Sequence, residues 1–186
     1  TGGLKQYTYG GIVEDVPGYP ANTARTLEIS SDGEVLVCGD NNHRTYVSLN
    51  GGDTWEDRSG NGSGELSATG ISRIEYAIST PKTDGTYSIY ASTVNGGFGG
   101  SNNQGQWISI DNGVTWHKHT PATAASIENG VIDFRDQGTW NNTVTFDPTD
   151  PSRVIVGGID LHEWKQTINN PPSGGWNNIS LWVSNP

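Results

Sequence analysis

Two acids, an arginine and two aromatic rings fall within eight residues of one another: Asp133, Phe134, Arg135, Asp136 and Trp140. That mixture suits carbohydrate, because sugar ring faces stack on aromatics while hydroxyls bond to carboxylates. A plainer reading has Arg135 pairing with a neighbouring acid and pinning the loop. Asp40 and Asp160 are a second acidic pair, placed alike in two different parts of the chain. Glycoside hydrolysis by two carboxylates needs an acid of raised pKa and a base, ~5–5.5 Å apart for retention or ~6.5–9.5 Å for inversion. Acids at strand ends more often cap turns. His117 and His119 alternate, as a two-histidine metal site requires, but the following Thr-Pro offers no third ligand, and His43 and His162 lie far off in sequence. No metal and no cofactor is expected. Cys38, alone in the chain, sits in the apolar run Val35-Leu36-Val37-Cys38-Gly39 and reads as a buried, inert thiol.

The elements that must position these residues are marked by a repeated turn. Ser109-Ile110-Asp111-Asn112-Gly113-Val114-Thr115-Trp116 reads S-x-D-x-G-x-T-W. Asp111 can accept backbone N–H groups two or three residues on, closing an Asx-type turn, and Gly113 permits a left-handed backbone. Thr115 and Trp116 return the chain to extended structure. Ser48-Leu49-Asn50-Gly51-Gly52-Asp53-Thr54-Trp55 is a second copy with Asn50 in the aspartate's place. Thr167-Ile168-Asn169 followed by Gly174-Gly175-Trp176 reads as a third, degraded copy. Trp55, Trp116 and Trp176 lie 61 and 60 residues apart. A constant period of this kind points to an array of structural repeats.

Composition agrees with an all-β, turn-dense protein: charged residues are 16%, with 26 glycines, seven tryptophans and seven tyrosines among 186 residues. The net charge of −10, with scattered basic residues, argues against nucleic acid or an anionic membrane as partner. No stretch approaches ~20 apolar residues, so no membrane insertion is expected. The start Thr1-Gly2-Gly3 carries no signal peptide and reads as that of a processed or partial chain. The Asn-x-Ser/Thr triplets at Asn61, Asn141 and Asn178 would matter only in a eukaryotic secretory pathway.

The chain therefore divides into 1–24, a leading strand and loop; 25–71, a first blade; 72–138, a second blade and a long connection; and 139–186, a third blade and the start of a further one. Each blade is expected as four short antiparallel strands, a partial β-propeller segment of a larger whole. In the second blade 95–105 reads as an inserted loop carrying Phe98. Three blades would leave two open faces lined with Val, Ile, Leu and Trp, so the remaining blades of a larger chain or a capping protein partner are expected.

The repeated turn resembles the Asp-box, or BNR repeat, of a β-propeller group that includes bacterial sialidases, the sortilin ectodomain, xyloglucan-active glycosidases and photosystem assembly factors. The resemblance covers about residues 25–182. It implies structural roles for Ser48, Asn50, Gly52, Trp55, Ser109, Asp111, Gly113, Trp116, Thr167, Asn169 and Trp176. The stretch from Gln137 through Thr143-Val144-Thr145-Phe146-Asp147-Pro148-Thr149-Asp150-Pro151 to Leu161 looks like large secreted surface proteins of Bacteroidetes, many exported by type IX secretion. A secreted or bacterial cell-surface location follows from that likeness. A sialidase-like site would require three convergent arginines, a Tyr–Glu pair, an acid–base Asp and a Phe-Arg-Ile-Pro-type segment; Phe134-Arg135-Asp136-Gln137 does not match the last. The expectation is a non-catalytic segment that binds or scaffolds, through protein or glycan, with Asp133, Arg135, Asp136, Trp140, Asp40 and Asp160 as candidate ligand-binding residues. The alternative is a fragment of a glycan-active hydrolase whose catalytic residues lie partly outside these 186 residues.

Overall fold

The computed structural model describes residues 3–7, 9–20, 22–95, 102–119, 132, 134 and 137–180. Its three four-stranded sheets are antiparallel and each is wound in chain order. The first contains β3 (Ala24–Ile29), β4 (Leu36–Asp40), β5 (Thr45–Ser48) and β6 (Glu56–Asp57). The second contains β7 (Arg73–Ile78), β8 (Ile89–Asn95), β9 (Asn102–Ser109) and β10 (His117–Lys118). The third contains β11 (Thr143–Asp147), β12 (Asp150–Gly157), β13 (Leu161–Asn169) and β14 (Pro172–Asn178). The first strands lie side by side, β7 packing against both β3 and β11. This is the blade arrangement of a partial β-propeller, with first strands innermost. The helix among the described residues is one turn, α1 (Gly138–Asn141), too short and polar to cross a membrane.

Period-two alternation explains how the blades stack. On blade two, Ile74, Tyr76, Ile89 and Ala91 face blade one and meet Val37, Val47 and Trp116. Ala77, Tyr90, Val94 and Ile108 face the other way and meet Phe146, Val154, Val156 and Trp164 of blade three. The middle blade is therefore apolar on both faces.

The two S-x-[DN]-x-G-x-T-W turns join the third and fourth strands of blades one and two. In blade two Asp111 Oδ1 accepts the Thr115 N–H at 2.8 Å and Oδ2 accepts the Thr115 hydroxyl at 2.6 Å. The Ser109 hydroxyl donates to Asp111 at 2.7 Å and accepts the Gly113 N–H at 2.8 Å. In blade one Asn50 Oδ1 accepts the Thr54 N–H at 3.0 Å and Ser48 Oγ accepts the Gly52 N–H at 2.9 Å. Gly113 (φ 83°) and Gly52 (φ 97°) stand in the left-handed region. Trp116 is buried between the blades, and Trp55 is half-buried with its Nε1–H on the Gly52 carbonyl at 2.9 Å.

The third copy folds differently. Thr167 and Asn169 lie within β13, and Trp176 sits in β14 directly opposite Trp164. The ladder continues to Asn169↔Pro172, so the hairpin closes through Asn170-Pro171 instead of a box turn. The proline pair accounts for this: proline fixes φ near −65° and biases its predecessor to extended backbone, leaving no left-handed position.

Two other expectations change. The two ends of the 95–105 insertion are strand, Asn95 closing β8 and pairing with Asn102 at the start of β9, while 96–101, with Phe98, lie outside the described residues. The leading residues form a hairpin, β1 (Lys5–Tyr7) with β2 (Val13–Asp15), where one strand and a loop are expected.

The outer faces of the end blades are not the apolar surfaces anticipated. On blade one, Tyr19 lies over Cys38 and stands edge-on to Tyr46 and Trp55, with ring centroids 5.6 and 5.2 Å away. The leading segment thus covers that face. On blade three, the residues that alternate with Val154, Val156 and Trp164 are Arg153, Ile155, Glu163 and Lys165. Arg153 bonds Asp147 and Glu163, each at 2.7 Å, and Lys165 pairs with Asp150. Leu161, Ile168 and Ile179 are the exposed large apolar side chains of this part of the chain.

Candidate functional site

A pocket of about 480 Å³ opens where the inner strands of blades one and two begin. Arg25, Asp40, His43, Arg73, Glu75 and Thr139 line it. Each side chain arrives there for a local reason. The β3–β4 register shifts between Ala24 and Thr26, so Arg25 falls on a bulge and projects into solvent. Arg73 opens β7; its Nε donates to Glu75 at 2.6 Å and its Nη1 to the Thr139 carbonyl at 2.6 Å, tying blade two to α1. His43 adopts φ 61°, a conformation that histidine enters more readily than most residues. Its Nε2 lies 2.9 Å from the Ser72 carbonyl and bridges the two blades.

Asp40 is buried and its carboxylate is committed to structure. Oδ1 accepts the N–H groups of Asn42 at 2.8 Å and Arg44 at 2.9 Å, and Oδ2 accepts from Asn22 Nδ2 at 2.8 Å. It shapes the pocket wall. Asp160, in the corresponding place of blade three, is buried as well and does not line this pocket; its carbonyl accepts the Gly158 N–H at 3.0 Å. Asp133, Arg135 and Asp136 lie outside the described residues. Their neighbours Ile132 and Phe134 are buried in the second core, so Phe134 is an anchor and no stacking platform. Trp140, by contrast, is 72% exposed on α1, one residue from Thr139.

Burial, with the charge of Glu75 beside it, holds the Glu28 carboxyl above its ordinary range. Arg25 has no carboxylate partner among the described residues. His117 and His119 do not form a metal pair: β10 ends at Lys118, and His119 turns inward to stack on Trp164 at 4.4 Å. No cluster of three or more His, Cys, Asp or Glu suited to a metal exists among the described residues.

Sequence reasoning missed Arg25, His43, Arg73 and Glu75. A signal existed for the arginines, since Ala24-Arg25-Thr26 and Ser72-Arg73-Ile74 both begin an inner strand.

The fold and this pocket define a partial β-propeller with a mouth formed by adjacent blades. No family model matches the chain, and no curated protein matches it. A solved structure of YCF48 bound to D1 peptide aligns with 91% of the chain at 12% identity and a TM-score of 0.26, and this chain spans 58% of the length of that one. The blade assignment rests on the sheets themselves.

Proposed function

We propose that this chain is a non-catalytic segment of a secreted or cell-surface bacterial β-propeller, related to the Asp-box group, that serves binding or scaffolding through protein or glycan. Further blades of a larger chain or a capping partner would complete it. The observation that carries the binding role is the mouth pocket itself, lined by Arg25, which has no carboxylate partner among the described residues, and by Thr139, the chain neighbour of the exposed Trp140. The nearby acids support binding over hydrolysis, because Asp40 is held by three hydrogen bonds and Glu75 by Arg73. A glycan array and a pull-down from bacterial envelope protein, each repeated with Arg25→Ala and Trp140→Ala, test it. Loss of a ligand in either variant is the expected result; retention of every ligand by both variants refutes the mouth as the site.

A second reading, a fragment of a glycan-active hydrolase, is favoured by one observation. Glu28, raised by burial and then by the charge of Glu75, shifts in the direction that a general acid needs. Release of nitrophenol from aryl glycosides that disappears in Glu28→Gln would support it.

A further inference from the structure

We propose that a second groove, on the outer rim where all three blades meet, is a carbohydrate site. It goes beyond the mouth pocket and shares no lining residue with it. The groove has a volume of about 610 Å³, within the usual size of small-molecule sites. Blade one contributes the connection after β6 with Asn61 and Glu65, blade two contributes Trp107, His117 and Lys118, and blade three contributes Pro171 at its hairpin tip.

The groups left over after internal bonding are the ones a sugar needs. Glu65 uses Oε2 to accept the Gly62 N–H at 2.8 Å, and its other oxygen remains an acceptor. Asn61 uses Oδ1 to accept the Ser67 hydroxyl at 3.1 Å, and its amide N–H₂ remains a donor. Lys118 lies over the Trp107 ring with Nζ 5.4 Å from the centroid, and it pairs with no carboxylate among the described residues. Hydroxyls, being donors and acceptors at once, can bridge an unpaired carboxylate and an unpaired ammonium while C–H faces rest on indole and proline.

Other ligand classes fit less well. A peptide that adds a strand needs a free edge of some length; β6 and β10 have two residues each, and the seven-residue β14 meets the groove only at Pro172. A peptide anchored by a large side chain needs a deep apolar pocket, whereas polar side chains of both charge signs line this groove. Glu65 within it disfavours a polyanion.

The test is calorimetric titration of the whole chain with hexaoses of β-1,4-linked glucose, xylose and N-acetylglucosamine, and with decaproline. Binding of a hexaose is expected, weakened about tenfold in Glu65→Ala and in Lys118→Ala, with Trp140→Ala titrated alongside as the report on the mouth. Both substituted side chains are exposed, so folding is not at stake. Absence of binding by all three hexaoses overturns the proposal, as does binding indifferent to Glu65 and Lys118 or binding of decaproline alone. Hexaose binding lost only in Trp140→Ala would place the sugar at the mouth, sustaining that reading and sinking this one.

Discussion

The Tyr19 hydroxyl meets the Cys38 thiol at 3.3 Å, across the gap between the leading segment and the second strand of blade one. Burial pushes the thiol up to about 11, and the hydroxyl is likewise raised by burial and by its thiol neighbour. The contact belongs to an aromatic cluster on that face: Tyr19 stands edge-on to both Tyr46 and Trp55.

Removing that ring should uncover the face. Tyr19→Ala is expected to cost about 2–3 kcal/mol, below the range for a fully buried aromatic because Tyr19 is half-exposed. Tyr19→Phe should cost less than about 1 kcal/mol. Urea melts give both numbers. Ellman's reagent should label Cys38 faster in Tyr19→Ala, and an unchanged labelling rate would show that the segment does not shield the strand.

The turn in blade two makes a prediction about charge. Burial pushes the Asp111 carboxyl up, but bonds from the Thr115 hydroxyl and N–H and from Ser109 outweigh it and hold it below its ordinary range. A carboxyl lowered in the folded state contributes stability above its unfolded pKa and loses it as pH falls through the folded value. Asp111→Ala should cost about 1 kcal/mol, and up to about 3 if the freed N–H groups stay dry. Asp111→Asn should retain most stability, since Asn50 makes the equivalent turn, and should flatten the acid limb of a stability profile below about pH 4.

His119 governs a higher window. Burial lowers it from 6.5 to about 3 in the packing between Tyr90, Trp164 and Trp176. The unfolded chain takes the proton first, so this contribution is complete above about pH 6.5 and drains away as pH falls toward 3, by at most about 1.4 kcal/mol per unit. His119→Phe keeps a ring in the stack and should remove that slope between pH 6 and 4. Thermal melts across this range that remain parallel for the two proteins would refute it.

The charged outer face of blade three should keep copies apart. Changing Arg153→Leu together with Glu163→Leu replaces a paired network by an apolar patch continuous with Ile155 and Leu161. Sedimentation should then show concentration-dependent association that the unaltered chain lacks. Arg153→Ala by itself should cost no more than about 1 kcal/mol, because the pairs are partly exposed and screened.

The local chemistry of the chain determined the blades. Alternating Ile74, Tyr76 and Ile89 with turn residues such as Asp32-Gly33 and Asp84-Gly85 write strand and hairpin directly, since side-chain period and left-handed glycines act over a few residues. So do the two box turns, whose bonds close within one octamer. The third copy looked like the others because a pattern search weighs identities, while Asn170-Pro171-Pro172 changes the backbone itself. What surrounds each blade could only be decided in three dimensions. Nothing near Tyr19 in sequence announces Cys38 and Tyr46, and the alternation Arg153, Ile155 with Glu163, Lys165 becomes a charged face only once β12 and β13 are in register. The same holds for the sites. Arg25, His43, Arg73 and Thr139 come from separate elements, and Phe134 changed from candidate platform to core anchor because blade three packs over it. Burial is a sum over neighbours distant in sequence, and it is burial that sorts a ligand contact from a structural one.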